Sequence, residues 1–288
     1  AALSLPAGGM AAVAEAMAKS AAAAGVTIRS NAPVAQILIE SDRAIGVRLS
    51  SGEELHAPTV ISAISPKTTF LTLIGPRHLD TGFTNRIRAQ KSRGGAAKLH
   101  LALKSAPDFR GADLKSRLVI APSLRAVENA YNPVKYNEVP KAPVMEITLP
   151  SAFEPGHAPD GQHLLSAIVQ FAPHEPKAGQ DAARAEMLAN CMAQLEGYAP
   201  GIGALVTQAE LLMPYDIEAQ YGLVGGNWHH GELSVEQMLF LRPLPGMAQY
   251  STPIDGLWLA SAGTHPGGGI SGAAGWNAAD RIIKEGRA

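Results

Sequence analysis

The stretch GLWLASAGTHPGGGISGAAG, residues 256–275, joins a short apolar run to a loop rich in glycine. The run 256–262 predicts a buried strand, and residues 272–285 predict a closing helix. Loop amides and the first turn of such a helix present N–H groups on one side, and glycines let a ligand approach the backbone closely. The stretch therefore predicts a site for an anion or a polar cofactor edge, with a tight turn that needs positive φ angles as the alternative.

The glycines Gly267, Gly269 and Gly272 match the spacing G-x-G-x-x-G of a dinucleotide-binding turn. That motif opens a βαβ unit of about 30 residues and needs an acidic residue about 20 positions further on, and the sequence ends too soon for either. A phosphate-binding P-loop counted from Gly263 would need a lysine where Gly269 stands. We therefore expect the loop to serve a cofactor whose main phosphate contacts come from elsewhere.

Composition narrows the class of protein. Hydrophobic residues make up 46% and charged residues 17% of the 288 residues, with a formal net charge of -1, which is typical of globular proteins and predicts no nucleic-acid partner. The single cysteine, Cys191, excludes an intramolecular disulfide and a multi-thiolate metal site. It also suits a reducing compartment, so we expect a cytoplasmic protein.

The N-terminal region alternates helix and strand patterns. An amphipathic helix is predicted over 8–25, closed by Gly25, and a short strand over 26–28. Three alternating runs predict an antiparallel meander at 34–40, 44–49 and 53–57. The apolar run 59–64 predicts a strand buried on both faces. We expect it to share a sheet with the strand at 256–262.

A change toward prolines and longer loops marks the region 66–250 as a second, α+β domain. Strands are predicted at 96–103, 118–121, 144–149 and 164–171. A helix is predicted at 181–196, with Asp181 as its N-cap and Cys191 on its apolar stripe as an inert core thiol. The first domain is then discontinuous, made of 1–65 and 251–288, with 66–250 inserted into it.

Two adjacent histidines, His229 and His230 in GGNWHHGE, invite a metal interpretation. Neighbouring residues of an extended strand point in opposite directions, and no third ligand has suitable spacing, so we predict no metal site and prefer a structured loop. A serine hydrolase is disfavoured because the sequence lacks G-x-S-x-G.

Three segments together resemble the C-terminal half of phytoene desaturase-like flavoproteins. They are GGMAAVAEAM, GVRLSSGEELHAPTVISAIS and GLVGGNWHHGELSVEQMLFLRPLPGMAQYSTPIDGLWLASAGTHPGGGISGAAGWNAADRI. The resemblance implies α/β plus α+β architecture: a glutathione-reductase-like FAD domain, incomplete here and carrying the antiparallel meander, interrupted by a mixed-sheet substrate domain. It also implies FAD as cofactor and hydride transfer from an apolar or amphipathic small molecule to the flavin.

The resemblance also assigns site residues. The loop would face the pyrophosphate, the ribityl chain or the pyrimidine edge of the flavin through Gly263, Thr264, His265, Pro266, Gly267, Gly268, Gly269 and Ile270. Backbone near the cofactor would come from Val34, Ser62, Ala63, Gly9 and Met10. Lys98 sits where related amine oxidases place a lysine near flavin N5, although strand alternation could equally place it on a solvated face.

The sequence departs from the family by lacking the N-terminal strand, the dinucleotide fingerprint and the ribose-binding acid. Its opening, AALSLPAGG, resembles an interior segment, which favours a fragment of a larger flavoprotein over a short protein that has lost its cofactor. We expect the 288-residue chain by itself to be inactive and to bind FAD weakly or not at all.

Two other functions stay open. One is a non-catalytic binding or scaffold module. The other is a flavin amine oxidase, which would need an aromatic cage near the flavin. With aromatic residues at 5%, the nearby candidates are Tyr215, Tyr221, Trp228 and Tyr250. Peripheral membrane contact, which would suit an apolar substrate, and oligomerisation are also left open.

Overall fold

The structure, a computed structural model, describes residues 5–286 as a mixture of helices and strands. The α-helices are α1 (Met10–Ala23), α2 (Thr81–Ala89), α3 (Leu124–Val134), α4 (Pro150–Phe153), α5 (Gln180–Tyr198), α6 (Ile202–Leu205), α7 (Pro214–Tyr221) and α8 (Ala273–Lys284). The strands are β1 (Val34–Glu40), β2 (Arg43–Leu49), β3 (Glu54–His56), β4 (Val60–Ser62), β5 (Ala96–Leu103), β6 (Leu118–Ile120), β7 (Val144–Thr148), β8 (His163–Gln170), β9 (Val206–Leu212) and β10 (Leu257–Leu259). A π-helical segment spans Thr68–Ile74. Within 5–286, no helix is both long and apolar enough to cross a bilayer.

The chain divides into two compact units whose boundaries differ from the predicted ones. Unit 1 comprises residues 5–28 and Gly95–Ile217, and unit 2 comprises Arg29–Gly94 and 218–286. The N-terminal segment belongs to unit 1, where the Gly8 amide donates to both carboxylate oxygens of Glu154 at 3.1 and 2.9 Å. Such a contact between distant residues leaves no trace in local composition. The assignment of an FAD part and a substrate part stays a prediction.

Unit 1 is built on a five-stranded sheet with the order β6-β7-β8-β5-β9. Its strand pairs are antiparallel. Strand β5 occupies the predicted residues, and every second side chain, including Leu99 and Leu101, is fully buried. Helix α5 packs its stripe of Met187, Cys191 and Leu195 into the same core, as predicted.

Two predictions in unit 1 concern the ends of its helices. Helix α1 ends at Ala23, and Gly25 follows its C-cap with φ +87°, as predicted, although Met10 and Met17 on its apolar stripe remain about half exposed. Helix α5 begins after Gly179, whose φ is +87°, so the prediction of Asp181 as the N-cap is wrong. Asp181 lies in the first turn instead, where its negative charge interacts favourably with the positive end of the helix dipole.

Unit 2 contains the predicted meander β1-β2-β3 and a parallel pair, β4 with β10. Trp258 pairs with Ile61 in that parallel ladder, which confirms that the two apolar runs share a sheet. The prediction that 59–64 is buried on both faces is wrong, because Ile61 of β4 is 50% exposed. The predicted strand at 26–28 is also absent from the described structure, which has irregular backbone there.

The buried thiol gives a direct test of the unit 1 core. Burial raises the pKa of Cys191 to about 12, and the thiolate is the reactive form. We therefore expect iodoacetamide to leave native Cys191 unmodified at neutral pH and to alkylate it fully in urea, as measured by intact mass. A cysteine introduced on α1 by Ala18→Cys serves as the control that reacts without urea. Equally fast labelling of Cys191 in the native chain would show that the α5 stripe is not packed as described.

Candidate functional site

Short hydrogen bonds hold the first half of the glycine loop. The Gly263 amide donates to Ser261 Oγ at 3.0 Å, and Thr264 Oγ1 donates to the Ser261 carbonyl at 2.7 Å. The Gly267 amide donates to the Thr264 carbonyl at 2.7 Å. Thr264 is fully buried, so its hydroxyl stabilises the turn. A Cβ on Gly263 would lie 2.5 Å from Pro66 Cδ, so glycine is needed for this close packing.

The second half of the loop opens onto a cavity of about 550 Å³. Its lining consists of Trp228, His229, Ala260, Ala262, Gly267, Gly268, Gly269, Ile270, Ser271, Gly272, Ala273, Ala274 and Gly275. Positive φ angles at Gly267 (+103°) and Gly269 (+145°) turn the backbone toward Gly272, the N-cap of α8. The first N–H groups of a helix lack intrahelical acceptors and carry its positive end. The cavity therefore offers backbone donors beside small, apolar side chains.

Trp228 and His229 form another wall of the cavity. A Cβ on Gly268 would lie 3.0 Å from His229 Nδ1 and 3.4 Å from Ala262 Cβ, so any larger residue would press on the imidazole. The indole Nε1 of Trp228 donates to His229 Nε2 at 3.2 Å. Burial, and secondarily the charge of Arg242, lower the pKa of His229 below its ordinary value. Its imidazole is therefore neutral at neutral pH.

Arg242 ties this wall to the glycine loop. It is 1% exposed, and its guanidinium donates to the Ala262 carbonyl at 2.9 Å and to the Gln237 carbonyl at 3.0 Å. It also donates to the carbonyls of Gly231 (3.2 Å), Glu232 (3.3 Å) and His229. Burial lowers the pKa of Arg242, yet a guanidinium stays charged in proteins. One buried cation thus organises the segment 229–237 around the cavity.

Part of the predicted loop reaches the cavity. Gly267, Gly268, Gly269 and Ile270 line it, whereas Gly263, Thr264, His265 and Pro266 lie outside its lining. His265 Nδ1 is buried and has no hydrogen-bond partner among residues 5–286.

Three other predicted residues of unit 2 lie on its strands or just beyond them. Ser62 is buried, its Oγ is 2.7 Å from Thr69 Oγ1, and its carbonyl accepts the amide of the lining residue Ala260 at 2.8 Å. Val34 begins β1 and Ala63 follows β4, and both are exposed. Their contacts with a cofactor stay predictions.

Gly9, Met10 and Lys98 belong to unit 1. Gly9 has φ +77° at the N-cap of α1, and a Cβ there would lie 2.9 Å from His157 Cε1. Lys98 lies on β5, paired with Ile168 of β8 and Leu212 of β9. Burial lowers the pKa of Lys98, so its environment is partly desolvated. The roles of these three residues toward a cofactor also stay predictions.

The first turn of α8 was predicted to belong to the site, as the start of the closing helix. The sequence analysis did not assign His229 to the site, and it named Trp228 only as a candidate for the aromatic cage of an amine oxidase. It did interpret GGNWHHGE as a structured loop, and the hydrogen bond from Asn227 Nδ2 to the Arg93 carbonyl at 3.0 Å holds that loop in place. Its approach to Gly268 depends on Arg242 bonding to Ala262, twenty residues further along the chain. No local pattern carries that information.

A parallel strand pair followed by a glycine loop and a helix N-terminus, the last two lining a cavity, is an arrangement typical of cofactor-binding proteins. Residues 2–283 match the family described as flavin containing amine oxidoreductase, and the chain belongs to this family. It is 33% identical over 297 residues to pyridine nucleotide-disulfide oxidoreductase domain-containing protein 2 of Rattus norvegicus, covering 96% of this chain and 50% of the rat protein.

A second relative, the phytoene desaturase (neurosporene-forming) of Cereibacter sphaeroides, is 28% identical over 272 residues, covering 93% of this chain and 51% of that protein. These matches confirm the resemblance to phytoene desaturase-like flavoproteins. The chain spans about half the length of these curated relatives. A crystal structure of an oxidoreductase from Methanosarcina mazei has the same fold, with a TM-score of 0.60 at 16% identity, over 96% of this chain and 54% of that one. The mixed α/β fold class is thereby confirmed.

Proposed function

We propose that the chain is the portion of an FAD-dependent oxidoreductase that receives the flavin ring at the glycine-loop cavity. The observation that carries this proposal is the cradle itself. Residues 268–269 and the first turn of α8 offer backbone N–H groups, and Gly268 leaves the space that a Cβ would fill beneath His229. Membership of the flavin family supports a flavin as the ligand.

The lining suits the pyrimidine edge of the isoalloxazine ring. That edge carries carbonyl oxygens, which accept hydrogen bonds from backbone N–H groups such as those of Ala274 and Gly275 in the first turn of α8. The Trp228 indole and Ile270 supply apolar surface for a flat ring. The positive end of α8 favours negative charge, which this edge gains when a flavin is reduced.

The flavin, when bound, supplies the capacity to accept a hydride. The chain's own lining residues contribute little acid or base chemistry, since His229 carries the one ionisable side chain among those described and is neutral. We propose that the hydride donor is an apolar or amphipathic small molecule. The name of the Cereibacter sphaeroides relative, a phytoene desaturase, supports this substrate class.

The variant Gly268→Val tests the proposal. Its Cβ would lie 3.0 Å from His229 Nδ1, and its two methyl groups would occupy the cavity, so we expect FAD binding to weaken at least about tenfold. The measurement is a titration of the 288-residue chain with FAD, followed by amide chemical shifts. Gly156→Val, at a position with nothing within 4 Å of the added Cβ, is the matched control.

Equal FAD affinity in Gly268→Val and the unmodified chain would refute the assignment of the cavity to the flavin. The same titration checks the expectation that this chain holds FAD weakly, because saturation at low micromolar FAD would contradict it. Circular dichroism of both variants verifies that the fold is retained.

A further inference from the structure

We infer that His229 is a hydrogen-bond donor to the cofactor, and that its Nδ1–H donates to a carbonyl oxygen at the pyrimidine edge of the flavin. The inference rests on the proposed function and adds to it a side-chain contact from a loop outside the glycine stretch. It is carried by three observations: the position of Nδ1, the hydrogen bond at Nε2, and the rigid attachment of the loop.

The position of Nδ1 follows from its distance to the glycine loop. His229 lines the cavity, and its Nδ1 lies 3.0 Å from where a Cβ of Gly268 would be. Because Gly268 has no Cβ, the glycine loop can lie this close to the imidazole at the cavity lining. A ligand edge seated on the loop would lie within reach of Nδ1.

The tautomer follows from the partner of the other nitrogen. An indole N–H can only donate, and Trp228 Nε1 lies 3.2 Å from His229 Nε2, so Nε2 must be the acceptor. The single proton of a neutral imidazole is then on Nδ1. Burial, and then the charge of the buried Arg242, lower the pKa of His229. Both disfavour a second proton on this ring.

The loop holds the ring in one place before any ligand arrives. The His229 amide donates to Asn227 Oδ1 at 2.9 Å, and its carbonyl accepts from Arg242. Asn227 is 8% exposed and donates in turn to the Arg93 carbonyl at 3.0 Å. A donor that is held in position costs little ordering entropy on binding. It also gains strength as negative charge develops on its acceptor, so it should favour reduced over oxidised flavin.

Three substitutions of His229 separate a donor from a packing residue. In His229→Asn the side-chain amide can place an N–H near the Nδ1 position, in His229→Gln the amide lies near the Nε2 position, and His229→Leu has no donor. His56→Leu, on the exposed strand β3, is the matched control. The affinities for oxidised FAD and for anaerobically reduced FAD are measured by amide chemical-shift titration. The ¹⁵N shifts of the unmodified chain report the His229 tautomer.

We expect His229→Leu and His229→Gln to bind reduced FAD about tenfold more weakly than the unmodified chain does, and to lose less affinity for oxidised FAD. The affinity of His229→Asn should stay within about threefold of that of the unmodified chain. An equal loss for both redox states in all three variants, no loss in any, or a proton found on Nε2 would overturn the inference. If Gly268→Val abolishes binding while the His229 variants bind normally, this inference fails and the proposed function stands. If Gly268→Val also binds normally, the proposed function fails as well.

Discussion

Replacing Arg242 with methionine is expected to lower the free energy of unfolding of unit 2 by about 3–5 kcal/mol. Methionine fills a similar volume but donates nothing. Five backbone carbonyls would then lose the hydrogen-bond donor that they share in the protein interior. They belong to Ala262, Gln237, Gly231, Glu232 and His229. The sequence contains three tryptophans, Trp228, Trp258 and Trp276, and all lie in unit 2. Their fluorescence during urea unfolding therefore reports the stability of this unit.

Two controls accompany the Arg242 variant. Arg88→Met, on the exposed side of α2, should change the free energy of unfolding by less than about 0.5 kcal/mol. Arg242→Lys should recover only part of the loss, because an ammonium presents its donors from one point whereas the guanidinium spreads them over a plane. Equal stability of Arg242→Met and Arg88→Met would mean that Arg242 does not organise the segment 229–237.

Replacing Phe70 with alanine is expected to destabilise unit 2 by about 3–5 kcal/mol. Phe70 is fully buried in the π-helical segment and meets Phe83 of α2 edge to face, with 4.9 Å between ring centroids. Removing the ring leaves a cavity and breaks this aromatic pair. Urea unfolding followed by tryptophan fluorescence gives the difference.

Phe240→Ala is the matched control, because Phe240 is 68% exposed and its ring contributes little buried surface. Its free energy of unfolding should stay within about 0.5 kcal/mol of the unmodified chain. A similar, small effect of both substitutions would show that Phe70 does not lie in the core of unit 2.

The pattern of apolar and polar residues predicted those strands and helices whose own sequence shows a regular period. Strand β5 alternates from Ala97 onward, and one face of it is buried as that alternation requires, whereas burial in the meander strands alternates less regularly. Strand β9 (Val206–Leu212) was not predicted, because as an edge strand it keeps a run of exposed side chains and shows no alternation of burial. The unit boundaries were missed for a similar reason, since contacts between distant segments, such as that of Gly8 with Glu154, decide them.

The candidate site, too, was predictable from the sequence only in part. Glycine density was enough to predict a loop with accessible backbone, and Gly267, Gly268 and Gly269 line the cavity. The wall that faces them was not predictable, because Arg242 positions His229 through backbone carbonyls, and carbonyls are identical in every residue. Only the folded structure shows that Arg242 joins His229 to the glycine loop, by donating to the carbonyls of both His229 and Ala262.

The most direct test of the flavin assignment is a map of the amide chemical shifts that FAD changes in the 288-residue chain. The cavity geometry predicts that the largest changes fall on residues 267–275 and on the indole N–H of Trp228, and that they are lost in Gly268→Val. Changes confined to unit 1, or no change along 267–275 at concentrations of FAD that saturate the signal, would contradict the account.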